Sequence, residues 1–324
     1  YLKSLMAVHT RLSKKDILDL LSVYKIGNLV NFSGIKEGIE NTNYKITTTK
    51  NSYVITIFEE RVNRKHLPFF LNLMLNCYKK RISCPKPVLD KHSNLINNFN
   101  EKKIAIFSFL NGRSKKNWSD INCFEVGKIL GKFHSVNKSF KKKITNEFSL
   151  DFWEKIFKKM SKSKLDSLIP GINKLLKKEL DFINLNWPKN LPKGIIHADL
   201  FPDNVFFDGA RISGILDFYF SCNDLLIYDL AITINAWCFT KGKFNQSFFN
   251  QIIKGYQSER ILTKKEKNEF NIILRGASLR FLLTRLYDSI NKKKHSFVTL
   301  KDPVEYYTIL IFHIQSQKGF DYFK

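Results

Sequence analysis

The spacing of apolar and polar positions changes character at about residue 110. Between Leu12 and Tyr24, apolar residues recur at helical spacing behind Ser13, a residue type that caps helix starts, which predicts a first helix. The period then shortens. A turn-rich stretch over residues 34–44 leads into strand-like runs, Tyr44 to Thr48 and Tyr53 to Phe58. His66 to Arg81 returns to helical spacing, with Leu67, Phe70, Leu71, Met74, Leu75 and Tyr78 on one face. Cys84-Pro85-Lys86-Pro87 breaks it, and Lys103 to Leu110 predicts another strand before Asn111-Gly112.

Beyond that point helical patterns dominate: Asp120 to Asn137, Asp151 to Met160, Gly171 to Leu185, Asp224 to Phe239, Phe248 to Ser258, Lys264 to Ser289 and Pro303 to Gln315. Residues 194–217 are the exception. They read as short strands around Ile195-Ile196, Val205-Phe206-Phe207 and Ile212 to Leu216, with a turn at Asp208-Gly209. The expected architecture is therefore α+β in two lobes. A small β-rich lobe spans residues 6–110 and ends in a hinge; a larger, mostly helical lobe spans 111–324 and is interrupted by a hairpin. Tyr1 to Leu5 precede Met6 and read as an extension ahead of the natural start.

Composition changes this picture little. At 324 residues with 44% hydrophobic positions, the chain can bury a sizeable core. The net charge of +25 invites a nucleic-acid reading, but arginine supplies only 10 of the 54 basic residues, and phosphate and base readers lean on its planar fork. Lysine, Asn, Ile and Phe are abundant together and share A/T-rich codons. Runs such as Lys141-Lys142-Lys143 and Lys292-Lys293-Lys294 thus read as solvated faces. The five cysteines, Cys77, Cys84, Cys123, Cys222 and Cys238, form no C-x-x-C pair, so reduced core thiols are expected, with neither disulfide nor structural zinc. No basic segment followed by an apolar core and a cleavage site opens the chain, and no apolar run is long enough to span a bilayer, so a cytosolic location is expected.

The chemistry concentrates in His197-Ala198-Asp199-Leu200-Phe201-Pro202-Asp203-Asn204 and in Leu216-Asp217-Phe218. Phosphoryl transfer needs a carboxylate beside the attacking hydroxyl, oxygen ligands for Mg²⁺ and a hold on the triphosphate. Asp199, after a short strand, can orient a hydroxyl and take its proton. Asn204 offers a neutral oxygen and Asp217, on the far arm of the hairpin, a carboxylate; oxygen-only ligands suit Mg²⁺. An isolated H-x-D could be a capped turn, but the ordered set of H-x-D-x-x-x-x-N, Asp-Gly turn and Leu-Asp-Phe is rare by chance. His197 reads as scaffold and not as a proton carrier.

These motifs, with Asn223-Asp224 and Tyr228-Asp229-Leu230-Ala231 downstream, resemble the aminoglycoside-phosphotransferase and choline-kinase superfamily. The resemblance implies a protein-kinase-like two-lobed fold, Asp199 as catalytic base, and Asn204 and Asp217 as metal ligands. It leaves Asp224 and Asp229 to cap and brace the following helix. Asn223 stands where that family has glycine. Within the superfamily the chain is most similar to the bacterial homoserine kinases. It shares with them Gly38-Ile39-Glu40-Asn41-Thr42-Asn43-Tyr44, Leu67-Pro68-Phe69-Phe70-Leu71, Asn235-Ala236-Trp237-Cys238 and Leu279-Arg280-Phe281-Leu282 with Thr284-Arg285-Leu286-Tyr287-Asp288.

That resemblance implies an ATP- and Mg²⁺-dependent transfer of the γ-phosphoryl group to L-homoserine, on the route to threonine. Other acceptors of the same class are choline, methylthioribose and aminoglycosides; a non-catalytic basic scaffold is the alternative from outside it. No nucleic-acid or membrane partner is expected. ATP is expected to bind through Gly38, Asn41, Asn43, Phe107 and Phe109, with adenine at the connection between the lobes. The acceptor is expected near Tyr219, Asn223, Trp237, Arg280 and Arg285. The strand lysine of kinases is missing: Thr56 stands in its place, with Lys45, Arg61 and Arg64 as candidate substitutes.

Overall fold

The computed structural model describes residues 10–35, 41–59, 63–291, 300–316 and 322–323. The first elements are α1 (Lys14–Leu21), β1 (Leu29–Ile35), β2 (Thr42–Thr48), β3 (Ser52–Phe58), α2 (Leu67–Lys79), β4 (Asn97–Phe99) and β5 (Lys102–Ser108). Then come α3 (Asp120–Val136), α4 (Leu150–Lys159), α5 (Lys162–Leu168), α6 (Ile172–Asn186), β6 (Lys193–Ile196), β7 (Val205–Asp208), β8 (Arg211–Ile215) and β9 (Cys222–Leu225). The chain continues through α7 (Leu226–Trp237), β10 (Phe239–Thr240), β11 (Lys243–Phe244), α8 (Gln246–Gln257), α9 (Lys264–Asn268), α10 (Phe270–Ile290) and α11 (Pro303–Ser316). These elements group into two compact units. One comprises Tyr1–Arg113, Phe140–Lys142 and Phe206–Tyr219; the other comprises Ser114–Ser139, Lys143–Val205 and Phe220–Lys324.

The first unit is built on an antiparallel sheet in the order β1-β2-β3-β5-β4. In β2, buried and half-buried positions alternate along the whole strand, the period of a pleated surface with one face in a core. α1 starts at Ser13, whose hydroxyl accepts from the Asp16 backbone while Asp16 accepts from the Ser13 backbone, a reciprocal cap. Its Ile17 and Leu21, with Tyr24, pack onto Tyr44, Ile46, Ile55, Ile57, Ile104 and Ile106. β1 and β4 lie outside the strands that the sequence pattern predicts. β1 is an edge strand whose half-buried Leu29, Phe32 and Ile35 are three residues apart and so lack a period of two, and β4 is three residues long. β7 and β8 form a hairpin, held where Phe207 and Arg113 exchange backbone hydrogen bonds at 2.9 and 3.2 Å. Gly112, at φ +100°, permits that approach: a Cβ there would lie 2.7 Å from the Phe207 carbonyl oxygen.

The second unit is helical around β6 and β9, which pair antiparallel. α7 is buried on all sides, as a helix apolar all round must be. α3 and α8 cross at backbone contact: a Cβ on Gly127 would sit 2.0 Å from the Ile252 carbonyl oxygen, and one on Gly255 2.0 Å from that of Phe124. Two expectations are corrected. The helix expected from Asp224 begins at Leu226. Asp224 lies on β9, so it does not cap the helix; Leu225 is the cap residue, and the Asp224 carboxylate accepts from the Asn146 amide at 2.7 Å. The single helix expected over 264–289 is two, α9 and α10, broken at Glu269. All five cysteines are buried free thiols, and among the described residues no helix is long and apolar enough to cross a membrane.

Candidate active site

In the second unit β6 delivers the chain into the His197-Ala198-Asp199 loop, whose backbone groups are pinned one after another. Asp229, in the first turn of α7, accepts the backbone N–H of His197 at 2.6 Å and of Ala198 at 2.8 Å. Ala198 sits at φ +63°, a left-handed conformation that costs an alanine about 1–2 kcal/mol. It persists because both sides of the residue are held: its N–H by Asp229 and its carbonyl by the Arg280 guanidinium at 3.0 Å. The Asp199 carbonyl accepts from the Phe201 backbone and the Asn204 side chain at 2.8 Å each, and the Leu200 carbonyl accepts from Trp237 Nε1 at 2.8 Å.

This places Asp199 half-buried on a loop with little freedom to move. Asn204 Nδ2 also donates to Asp199 Oδ2 at 2.8 Å, so its amide nitrogen is committed and its carbonyl oxygen is the atom it can offer a cation. Asp217 belongs to the first unit. It is half-buried two residues past the end of β8, at φ +56°, near Tyr219, whose ring packs edge-on against Phe58 and Phe70 at 5.5 and 5.7 Å. That burial pushes the Tyr219 phenol well above its usual range. Asn204 offers an amide oxygen and Asp217 a carboxylate, each a hard oxygen of the kind Mg²⁺ takes alongside substrate phosphates and water. Among the described residues no cluster of three or more His, Cys, Asp and Glu could hold a metal unaided, and a metal carried on phosphates needs none.

The remaining expected residues are placed as follows. Asn41 is buried and accepts from the Glu59 backbone at 3.2 Å; Asn43 accepts from Thr56 Oγ1 at 2.8 Å. Phe107 is buried on β5 opposite Val54, and the Phe109 backbone donates to the Ser52 carbonyl at 3.1 Å. Thr56, at the position of the missing lysine, is thus tied to Asn43, while Lys45 Nζ stands 4.1 Å over the Phe109 ring and Arg64 reaches the Glu101 carbonyl. Gly38 and Arg61 lie outside the described residues. Asn223 is half-buried on β9, its backbone donating to the Ile144 carbonyl at 2.8 Å. Trp237 is fully buried and Arg280 nearly so, and both touch the loop backbone. Arg285 instead donates to Glu305 at 2.6 Å and to the Asp302 carbonyl at 2.8 Å.

Two groupings escaped the sequence reading. Behind the loop, His134 Nε2 meets Asp229 Oδ2 at 2.9 Å and His134 Nδ1 meets the Tyr256 hydroxyl at 2.7 Å; that hydroxyl also accepts from Arg260 at 3.0 Å. In the first unit Glu59 accepts from Thr10 and Thr42 at 2.8 Å each and is paired with Lys102, across 43 residues of chain. Burial opposes the Glu59 charge, but these donors hold its carboxyl below the usual range. No motif signals either grouping. The one visible hint is a polar His134 on the buried face of a helix that also carries Gly127 and Gly131.

Comparison with known proteins places this arrangement. The sequence profile of the phosphotransferase enzyme family matches residues 31–262. A homoserine kinase of Rhizobium etli (strain CIAT 652) is 42% identical over 318 residues, covering 98% of this chain and 99% of that protein. One of Agrobacterium fabrum is 41% identical over 309 residues, covering 95% and 96%. Among solved structures, an amicoumacin kinase in complex with AMP-PNP, Ca²⁺ and Ami aligns with a TM-score of 0.68 at 16% identity, over 96% of this chain and 95% of that one. A spectinomycin phosphotransferase in complex with ADP and spectinomycin aligns with a TM-score of 0.67 at 14% identity, over 94% and 95%. Likeness at that identity speaks for the fold alone, an α+β kinase-like one.

Proposed function

The chain belongs to the phosphotransferase enzyme family, in its homoserine kinase branch, and from that premise we propose that it transfers the γ-phosphoryl group of ATP to the hydroxyl of L-homoserine in the cytoplasm, with Mg²⁺ as the metal. The observation that carries the reading is likeness at about two-fifths identity across nearly the whole length of homoserine kinases, with the loop chemistry intact. Threonine biosynthesis is the corresponding role.

Asp199 accepts the hydroxyl proton of homoserine and keeps the oxygen aimed at the γ-phosphorus. The new O–P bond forms as the bond to the β,γ-bridging oxygen breaks, and ADP leaves with the electron pair. Asn204 and Asp217 are the assigned metal ligands. Together they would hold a Mg²⁺ whose charge would offset that of the triphosphate. Residues Gly38, Asn41 and Asn43 are assigned to the phosphates, and the backbone from Phe107 to Phe109 to the adenine edge. The Asn204 amide holds the Asp199 carboxylate in one rotamer, so the base needs little reorganisation when the acceptor arrives.

Kinetics of Asp199→Asn test this assignment. The change keeps the shape and the hydrogen bond to Asn204 while removing the base. The expected result is a fall in kcat of about 10²- to 10⁴-fold with the KM for ATP little changed. Near-normal turnover of homoserine by the variant would contradict it.

A further inference from the structure

α10 carries three buried arginines, and only two of them have a counter-charge among the described residues. Arg275 is gripped by both carboxylate oxygens of Glu179 at 2.6 Å each, and Arg285 pairs with Glu305 at 2.6 Å. Arg280 is 4% exposed, yet its single hydrogen bond runs from NH1 to the Ala198 carbonyl, and its Nε is buried without an acceptor. Aromatic rings surround it: Phe281, Phe148 and Phe220 stand 4.1, 5.1 and 5.7 Å from the guanidinium carbon. Ring faces offset part of the cost of burying a cation, but leave the in-plane donors of the fork unused. A buried charge without its partner is expensive, and an anion binding at the free edge of the fork offsets that cost.

The surroundings fit one kind of anion. Arg280 holds the residue next to Asp199, so whatever it binds lies beside the base. In homoserine the carboxylate and the reacting hydroxyl are about 5 Å apart when extended, by ordinary bond lengths. Two buried hydroxyls of the same unit, Ser221 Oγ and Tyr228 OH, have no hydrogen-bond partner among the described residues. A neutral hydroxyl accepts from an ammonium without cancelling the positive charge that a carboxylate needs.

We propose that Arg280 receives the α-carboxylate of the acceptor in a bidentate grip, and so selects a small hydroxy amino acid over an amino alcohol of the same length. The inference rests on the homoserine reading above and adds what recognises the substrate. Arg285, committed to α11, takes no part in it.

The test compares kcat/KM for L-homoserine with that for 3-aminopropan-1-ol, which keeps the amine and the hydroxyl but lacks the carboxylate. The wild-type protein should favour homoserine strongly. In Arg280→Ala the ratio should fall about 30-fold or more, the low end for breaking a buried charge-assisted contact, through the KM for homoserine. Arg280→Lys, which keeps the charge and loses the fork, should recover only part of the ratio. An unchanged ratio, with both substrates declining in parallel, would overturn the proposal and leave Arg280 as a brace for the Ala198 carbonyl. The wild-type comparison stands even if neither variant folds. Equal use of the two acceptors overturns the carboxylate site while homoserine phosphorylation survives; turnover of neither overturns the underlying reading.

Discussion

His134 has one arrangement of protons that satisfies all its neighbours. Arg260 donates to the Tyr256 oxygen, the Tyr256 hydroxyl donates to His134 Nδ1, and His134 Nε2–H donates to Asp229. The imidazole is therefore neutral, and burial lowers its pKa against the opposing pull of Asp229. Burial likewise opposes the Asp229 charge, but the hydrogen bond from His134 and those from the loop N–H groups keep the carboxyl below the usual range. His313 repeats the pattern: set between Asn235 and the Tyr322 hydroxyl at 2.8 Å each, it is pushed down to about 3, first by burial and then by Arg275. Both histidines have folded values below the unfolded value of about 6.5, so below that pH the unfolded chain binds protons that the native one refuses. Stability should fall as the pH drops from 7 to 5, with His313 alone contributing up to ~2 kcal/mol of that loss at pH 5. Urea unfolding across that range checks it. A flat profile would mean that these imidazoles take protons in the folded state.

The contact of α3 with α8 sets where His134 and Tyr256 meet, one from each helix. Gly127 and Gly255 let the two backbones touch, since any Cβ would overlap a carbonyl oxygen of the other helix. Gly127→Ala should therefore force the helices apart and cost about 1–3 kcal/mol, the usual range for overpacking. A lowered denaturant midpoint, with weakened homoserine turnover, is the expected outcome; an unshifted midpoint would show that the pair separates freely. Elements like these explain what pattern reading could and could not see. Amphipathic helices and the alternating β2 announced themselves by period. β9 did not, because Cys222-Asn223-Asp224-Leu225 runs straight into an apolar helix and its strand character comes from pairing with β6, some thirty residues back. The Glu59–Lys102 pair and the Asp229–His134 pair were hidden for the same reason: each joins positions far apart in the chain, and no local spacing encodes them.

For the whole molecule, the candidate site was legible because its motif is contiguous: Asp199, Asn204 and Asp217 fall within 19 residues of chain and in a fixed order. The proposed acceptor contact was less so. Arg280 and Arg285 look equivalent in the sequence, and only their partners separate the buried fork without an anion from the one spent on Glu305. The +25 charge, the loudest feature of the composition, is carried mainly by lysine and does not enter the account of the site. The central claim is the acceptor. It is tested most directly by measuring ATP-dependent ADP release by the purified chain with L-homoserine, L-serine, choline, methylthioribose and an aminoglycoside, with ³¹P NMR to identify the product. The account predicts that homoserine gives the highest kcat/KM and yields O-phospho-L-homoserine. A higher value for choline, methylthioribose or the aminoglycoside, with homoserine at background, would contradict it.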